Sequence, residues 1–141
     1  MTDQHLDDVR DNLQSQSFMR LIGARAVEVE RGRVVLELRY REDLCQQNGF
    51  VHAGVITSIA DSACGYAALT TMPEGSDVLS VEFKTNLLAP ARGDRFRATG
   101  TVAKAGRTLT VCQAEVVAVS DGGEDVVVAL MQATMITRAP R

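Results

Sequence analysis

The stretch from residue 53 to about 71, "AGVITSIADSACGYAALTT", constrains the fold more than any other part of the chain. It is long enough for about five helical turns. Nearly every residue in it is small or apolar, and Pro73 and Gly75 follow as stop signals. A helix that is oily on almost all sides must be enclosed rather than laid on a surface. Val55, Ile56 and Ile59 suit burial, and Ala60, Ala63, Cys64, Ala67 and Ala68 are small enough to let strands come close. Asp61 interrupts this pattern with no basic residue within two turns. An unpaired buried carboxylate costs several kcal/mol or takes up a proton.

What encloses the helix is legible on both sides of it. "ARAVEVERGRVVLELRY" alternates apolar and polar residues around "ERGR", the pattern of two strands joined by a tight turn at Gly32. After the helix come "SDVLSVEFKTNLLAP", "DRFRATGTVAKAG", "RTLTVCQAEVVAVS" and "EDVVVALMQATMITRA", with breaks at Pro90 to Gly93, at "KAGR" and at "SDGGED". The predicted order is ββαββββ, an α+β arrangement in which an antiparallel sheet wraps around one long central helix. The connections are short enough for antiparallel hairpins among the last four strands. Residues 1–17 read as an N-terminal helical or flexible extension, with a polar, N-capped helix from residue 3 to about 15. The domain proper, 18–141, then opens on a short apolar turn at Phe18, Met19 and Leu21.

A chain of 141 residues fits one domain. Its formal charge of −3 gives no electrostatic case for nucleic acid, and three Pro and eleven Gly are too few for a disordered linker. Cys45, Cys64 and Cys112 are far apart with no CxxC pair, and His5 and His52 are the only imidazoles. Neither a zinc site nor a disulfide framework is expected, and no cofactor is implied. "MTDQHLDDVRDNLQ" lacks the basic start and apolar core of a secretory signal, and no apolar run approaches the roughly eighteen residues of a membrane span. The expected location is the cytoplasm.

With a helix starting near Ala53, positions 54, 58, 61, 65 and 68 share a face, giving Gly54, Ser58, Asp61, Gly65 and Ala68. Small residues beside one carboxylate suggest a groove that something other than a side chain can occupy. A helix N-terminus carries unpaired N–H groups and positive potential, and Ala53 and Gly54, following His52, leave those donors open to a ligand. Such a place can hold a carbonyl oxygen as it becomes negative. The ordinary alternatives are an Asp61 that faces solvent or a strand, and a His52 satisfied in its loop. Asp61 lies nine residues beyond His52, about 13 Å along a helix, so the two cannot easily act on one bond within a chain. In a symmetric dimer with antiparallel helices, the carboxylate of one copy can meet the helix N-terminus of the other.

"NGFVHAGVITSIADSACGYAA" resembles the signature of the hotdog-fold acyl-CoA thioesterases of the phenylacetate-pathway (PaaI-like) type, in which a His-Gly-Gly-like turn opens a central helix and an acidic residue follows nine positions after the His. The resemblance runs from about residue 18 to 138 and includes "LSVEFKTNLLAPARGDRFRATGTVAKAGRTL". It implies hydrolysis of acyl-CoA thioesters with an aryl or short to medium acyl group, in a homo-oligomer (a dimer, or a dimer of dimers) whose active site is shared between two chains. By the same resemblance Asp61 matches the nucleophile or general base, His52 the residue that orients the site, and the Ala53 N–H the donor that polarises the thioester carbonyl. Gln46 or Asn48 matches the amide near the attacking water, and Ser80 a hydroxyl that helps position it. Gly65 lines the acyl groove, and Gly106, Arg107 and Thr108 match a turn along the nucleotide. The usual second residue of the turn is Gly; Ala53 keeps the N–H and adds a methyl. Lys84, Arg92, Arg95, Arg97, Lys104 and Arg107 add cations that could meet coenzyme A phosphates or simply guard strand edges. Alternatives on such a fold are a hydratase or dehydratase of acyl thioesters, and a dimer that binds acyl-CoA without turning it over.

Overall fold

The computed structural model describes residues 3–139. Two helices, α1 (Asp3–Ser15) and α2 (Ser17–Ile22), precede the hairpin of β1 (Arg25–Glu30) and β2 (Arg33–Arg39). A short 3₁₀ turn at Glu42–Leu44 and a loop lead to α3 (Ala53–Leu69), followed by β3 (Asp77–Leu87), β4 (Arg95–Ala105), β5 (Leu109–Val119) and β6 (Val126–Arg138). The strands form one antiparallel sheet in the order β1-β2-β4-β5-β6-β3, and α3 packs on its inner face. This is the antiparallel sheet around one helix that the oily segment predicts, and the hotdog fold that the family resemblance implies.

Alternation decides which side chains meet that helix. Val34, Leu36 and Leu38 of β2, Phe96 and Ala98 of β4, and Cys112, Ala114 and Val116 of β5 are buried, while the residues between them on β4 face outward. Closest approach falls at Gly100 on β4, where a Cβ would lie 2.3 Å from the Ala63 carbonyl. The C-terminal end of α3 is fastened to the hairpin turn, since Thr70 Oγ1 accepts the Gly32 N–H at 2.7 Å.

Two features depart from the sequence reading. β3 and β4 do not form a hairpin: β3 pairs with β6 at the sheet edge, and β4 lies between β2 and β5. The connection, residues 88–94, carries the chain across the end of the sheet, where Pro90 could not continue a ladder. The polar α1 also has an apolar side, for Val9 and Leu13, one turn apart, are buried in the core. The position that would cap α1 lies outside the described residues. Arg10 donates to the Ala26 carbonyl at 3.0 Å and Gln14 Oε1 accepts the Ala26 N–H at 2.7 Å, so α1 occupies backbone groups on the β1 edge.

The β3 edge is different. Among the described residues no strand or helix pairs with its outer side. Leu79, Val81, Phe83, Leu87 and the following Leu88 are 44–55% exposed.

Candidate active site

The loop before α3 is a small built structure. Cys45 bridges to Val51, Gln46 N–H donates to the Phe50 carbonyl at 2.9 Å, and Gly49 supplies the positive φ of 83° for the reversal. Gln46 Oε1 accepts the N–H groups of Asn48 and Phe50, so its Nε2 is the end left for other partners. Asn48 is exposed and tied to Gln46 through its own backbone.

His52 caps the helix with its side chain, Nδ1 accepting the Gly54 N–H at 2.8 Å. Nδ1 is therefore the unprotonated nitrogen and Nε2 carries the hydrogen in this arrangement. The His52 carbonyl takes the N–H groups of Val55 and Ile56. Gly54 is thus not an open donor, contrary to the sequence expectation, because the ring next to it consumes its N–H. A Cβ at Gly54 would sit 3.0 Å from Nδ1, which accounts for glycine there. The Ala53 N–H remains without a protein partner among the described residues. It borders a 510 Å³ cavity lined by Gln46, Phe50, Ala53, Ile56, Leu87 and Pro90, among others. The Arg92 guanidinium stacks over the Phe50 ring at 5.3 Å from its centre.

Asp61 stands elsewhere. It is half-buried rather than enclosed, and Ser80 Oγ on β3 donates to its Oδ1 at 2.6 Å. The carboxylate thus has a partner, but from across the sheet rather than along the helix. Ser80 sits just before an irregularity in the β3–β6 pairing, opposite Met135, whose sulfur is 3.4 Å from Ser80 Oγ. Gly65 lies one turn beyond Asp61 and is buried. Asp61, Gly65, Ser80 and Met135 border a 210 Å³ cavity that shares no lining residue with the cavity at Ala53. Burial, reinforced by the Cys112 thiol and the Asp61 charge, pushes the Cys64 thiol far up, so it is no nucleophile here.

Gly106, Arg107 and Thr108 form the β4–β5 turn. Gly106 has a steric reason to be glycine, since a Cβ would meet the Leu109 carbonyl at 2.3 Å, and the Thr108 carbonyl accepts the Thr137 N–H at 2.8 Å. Ile136 pairs with Leu109 on one side and with Leu79 on the other, which puts this turn at the Asp61–Ser80 end of the sheet. Arg95 and Arg97 are committed elsewhere, 3.9 and 3.8 Å from Glu37 on the outer face. Gln16, which carries no sequence signal, also lines the Asp61 cavity.

A long enclosed helix with an open N–H at its start and a hydroxyl-bound carboxylate two turns along is an arrangement suited to acyl transfer. Residues 48–124 match the model of the thioesterase superfamily. The chain belongs to that superfamily and is a thioester hydrolase. A thioesterase family protein from Silicibacter pomeroyi is 46% identical, with a TM-score of 0.92 over 95% of this chain and 98% of that one. The 1,4-dihydroxy-2-naphthoyl-CoA hydrolase of Listeria monocytogenes is 27% identical over 95 residues, 67% of this chain and 77% of the relative. The E. coli PaaI protein, from the phenylacetic acid degradation operon, shares the fold at a TM-score of 0.82 and 19% identity, covering 95% of this chain and 93% of its own. No helix among the described residues is long and apolar enough to cross a membrane.

Proposed function

We propose that the chain hydrolyses acyl-CoA thioesters in sites that two copies assemble together. The observation that carries this reading is the separation of the two halves. The open Ala53 N–H and Gln46 border one cavity, Asp61 and Ser80 another, and the apolar β3 edge between them is unpaired among the described residues. Antiparallel pairing of β3 with its copy runs the Leu79 end of one strand alongside the Leu87 end of the other. The carboxylate of each chain then approaches the α3 N-terminus of its partner, and the 106–108 turn comes to the same end.

In that site the thioester carbonyl accepts the Ala53 N–H, and the dipole of α3 favours the negative charge that develops on its oxygen. Gln46 Nε2, freed by the engagement of its Oε1, donates to the carbonyl or to the attacking water. Asp61, steadied by Ser80, takes a proton from water as its oxygen bonds to the carbonyl carbon. Collapse breaks the C–S bond, and the proton held by Asp61 goes to the departing CoA thiolate, leaving free acid and thiol. His52 acts through Gly54, keeping the first turn of α3 aligned. In this reading Arg107 and the turn around it receive the nucleotide phosphates.

A panel of acyl-CoAs followed by thiol release tests the reading, with enoyl-CoA hydration measured beside it. Asp61→Asn should lose at least about 100-fold in kcat, within the range of general-base catalysis. A folded Asp61→Asn protein at full activity would contradict it. Single turnover in ¹⁸O-water tests the nucleophilic role: label in Asp61 with unlabelled acid marks an anhydride opened at the Asp61 carboxyl, whereas activation of water labels the acid and leaves Asp61 unlabelled.

A further inference from the structure

Gln16 occupies the N-cap position of α2 but makes no capping bond with its side chain. Its Nε2 instead donates at 2.6 Å to the hydroxyl of Tyr66, fifty residues away on α3. Tyr66 is buried, and its hydroxyl donates at 2.8 Å to Asn12 Oδ1 on α1. This fixes the direction of the chain of bonds. The tyrosine proton goes to Asn12, so its oxygen accepts from Gln16, and the Gln16 amide is held with its nitrogen towards Tyr66. Gln16 Oε1 and one N–H are left without protein partners among the described residues.

Gln16 lines the same 210 Å³ cavity as Asp61 and Ser80, whose other walls include Val78, Gly65 and Met135. Tyr66 is five residues beyond Asp61, about 7.5 Å along the helix axis. Such a cavity brings the Asp61 carboxylate and the Gln16 amide into one lining, with Val78, Leu79 and Met135 supplying its apolar walls. Its span suits one substituted ring or a short chain, not a long fatty tail. We infer that Gln16, held by Tyr66 and Asn12, determines specificity by hydrogen-bonding a hydroxyl or carbonyl oxygen at the far end of a short acyl group. The inference rests on the hydrolase reading above and adds the polarity and reach of the acyl group. Tyr66 and Asn12 are positioning residues that fix which end of the Gln16 amide the substrate meets.

The test compares kcat/KM for 3-(4-hydroxyphenyl)propanoyl-CoA and 3-phenylpropanoyl-CoA, two acyl groups that differ by one terminal hydroxyl. The native protein should favour the hydroxylated substrate by about tenfold, the worth of one net hydrogen bond. Gln16→Leu should bring the ratio to about one, and Tyr66→Phe, which keeps the ring and releases the amide, should lower it too. Thermal melts accompany each variant. Should Gln16→Leu fail to fold, the Tyr66→Phe ratio decides. Equal use of the two substrates by the native protein, or a ratio that the folded variants leave in place, overturns the inference while leaving the hydrolase reading intact. Release of thiol from neither substrate nor any acyl-CoA in the panel overturns the hydrolase reading itself, and this inference with it.

Discussion

At the scale of single residues, the site turns on which polar groups are already spent. His52 uses its ring to satisfy Gly54, and its carbonyl to satisfy Val55 and Ile56, leaving the Ala53 N–H, the donor proposed for a substrate oxygen, without a protein partner among the described residues. Proline tests this, because it lacks the N–H and suits the first helical position. His52, at φ −58° and ψ 139°, already has the extended conformation required before proline. Ala53→Pro should therefore fold normally and lose about 100- to 1000-fold in kcat, the cost of one oxyanion donor. A folded Ala53→Pro protein with native kcat would remove Ala53 from the mechanism. Legibility was uneven at this scale. The nine-residue spacing of His52 and Asp61 was evident, whereas the loss of the Gly54 donor depended on a rotamer that no pattern encodes. Gln16 was invisible because its partner is fifty residues away.

At the scale of elements, α3 was legible from its apolar length and stop signals, and the β1–β2 hairpin from its alternation. The docking of α1 was not, since two buried apolar residues, Val9 and Leu13, carry too little period to stand out. The β3 to β4 crossover was equally hidden, because a seven-residue connection serves either a long hairpin loop or a passage across the sheet. Gly100 of β4 is where the backbone of α3 touches the sheet. Glycine in a strand ordinarily costs about 0.5–1 kcal/mol relative to alanine. The 2.3 Å approach to Ala63 reverses that sign. Gly100→Ala should destabilise by about 3 kcal/mol, read from urea unfolding. A more stable variant would show that α3 has room to move. On the open edge, Val81→Lys with Phe83→Lys should give a folded monomer by light scattering with less than about a tenth of native activity, since edge lysines oppose strand pairing. Full activity in such a monomer would contradict a shared site.

At the scale of the whole molecule, enclosure of the helix also sets the response to alkali. Burial pushes the Cys112 thiol up to about 11 from its ordinary 9.0, and the Cys64 and Tyr66 groups are raised as well. Above pH 9 the unfolded chain releases these thiol protons while the folded chain keeps them. The unfolded state then binds fewer protons, and stability falls as pH rises, by about 1.4 kcal/mol per pH unit for each thiol. The share due to Cys112 should be complete near pH 11 and absent in Cys112→Ala. Denaturant midpoints between pH 8 and 11 check this, and a flat profile would mean that neither thiol is sealed.

The central claim is that each site takes its carboxylate from one chain and its helix N-terminus from another. Coexpression of Asp61→Asn with Ala53→Pro tests it directly, each variant alone being nearly inactive. A mixed dimer carries both lesions in one site and none in the other, so random assembly should restore up to about a quarter of native thiol release. Mixed dimers no more active than the parent variants would place the whole site within a single chain and contradict the account.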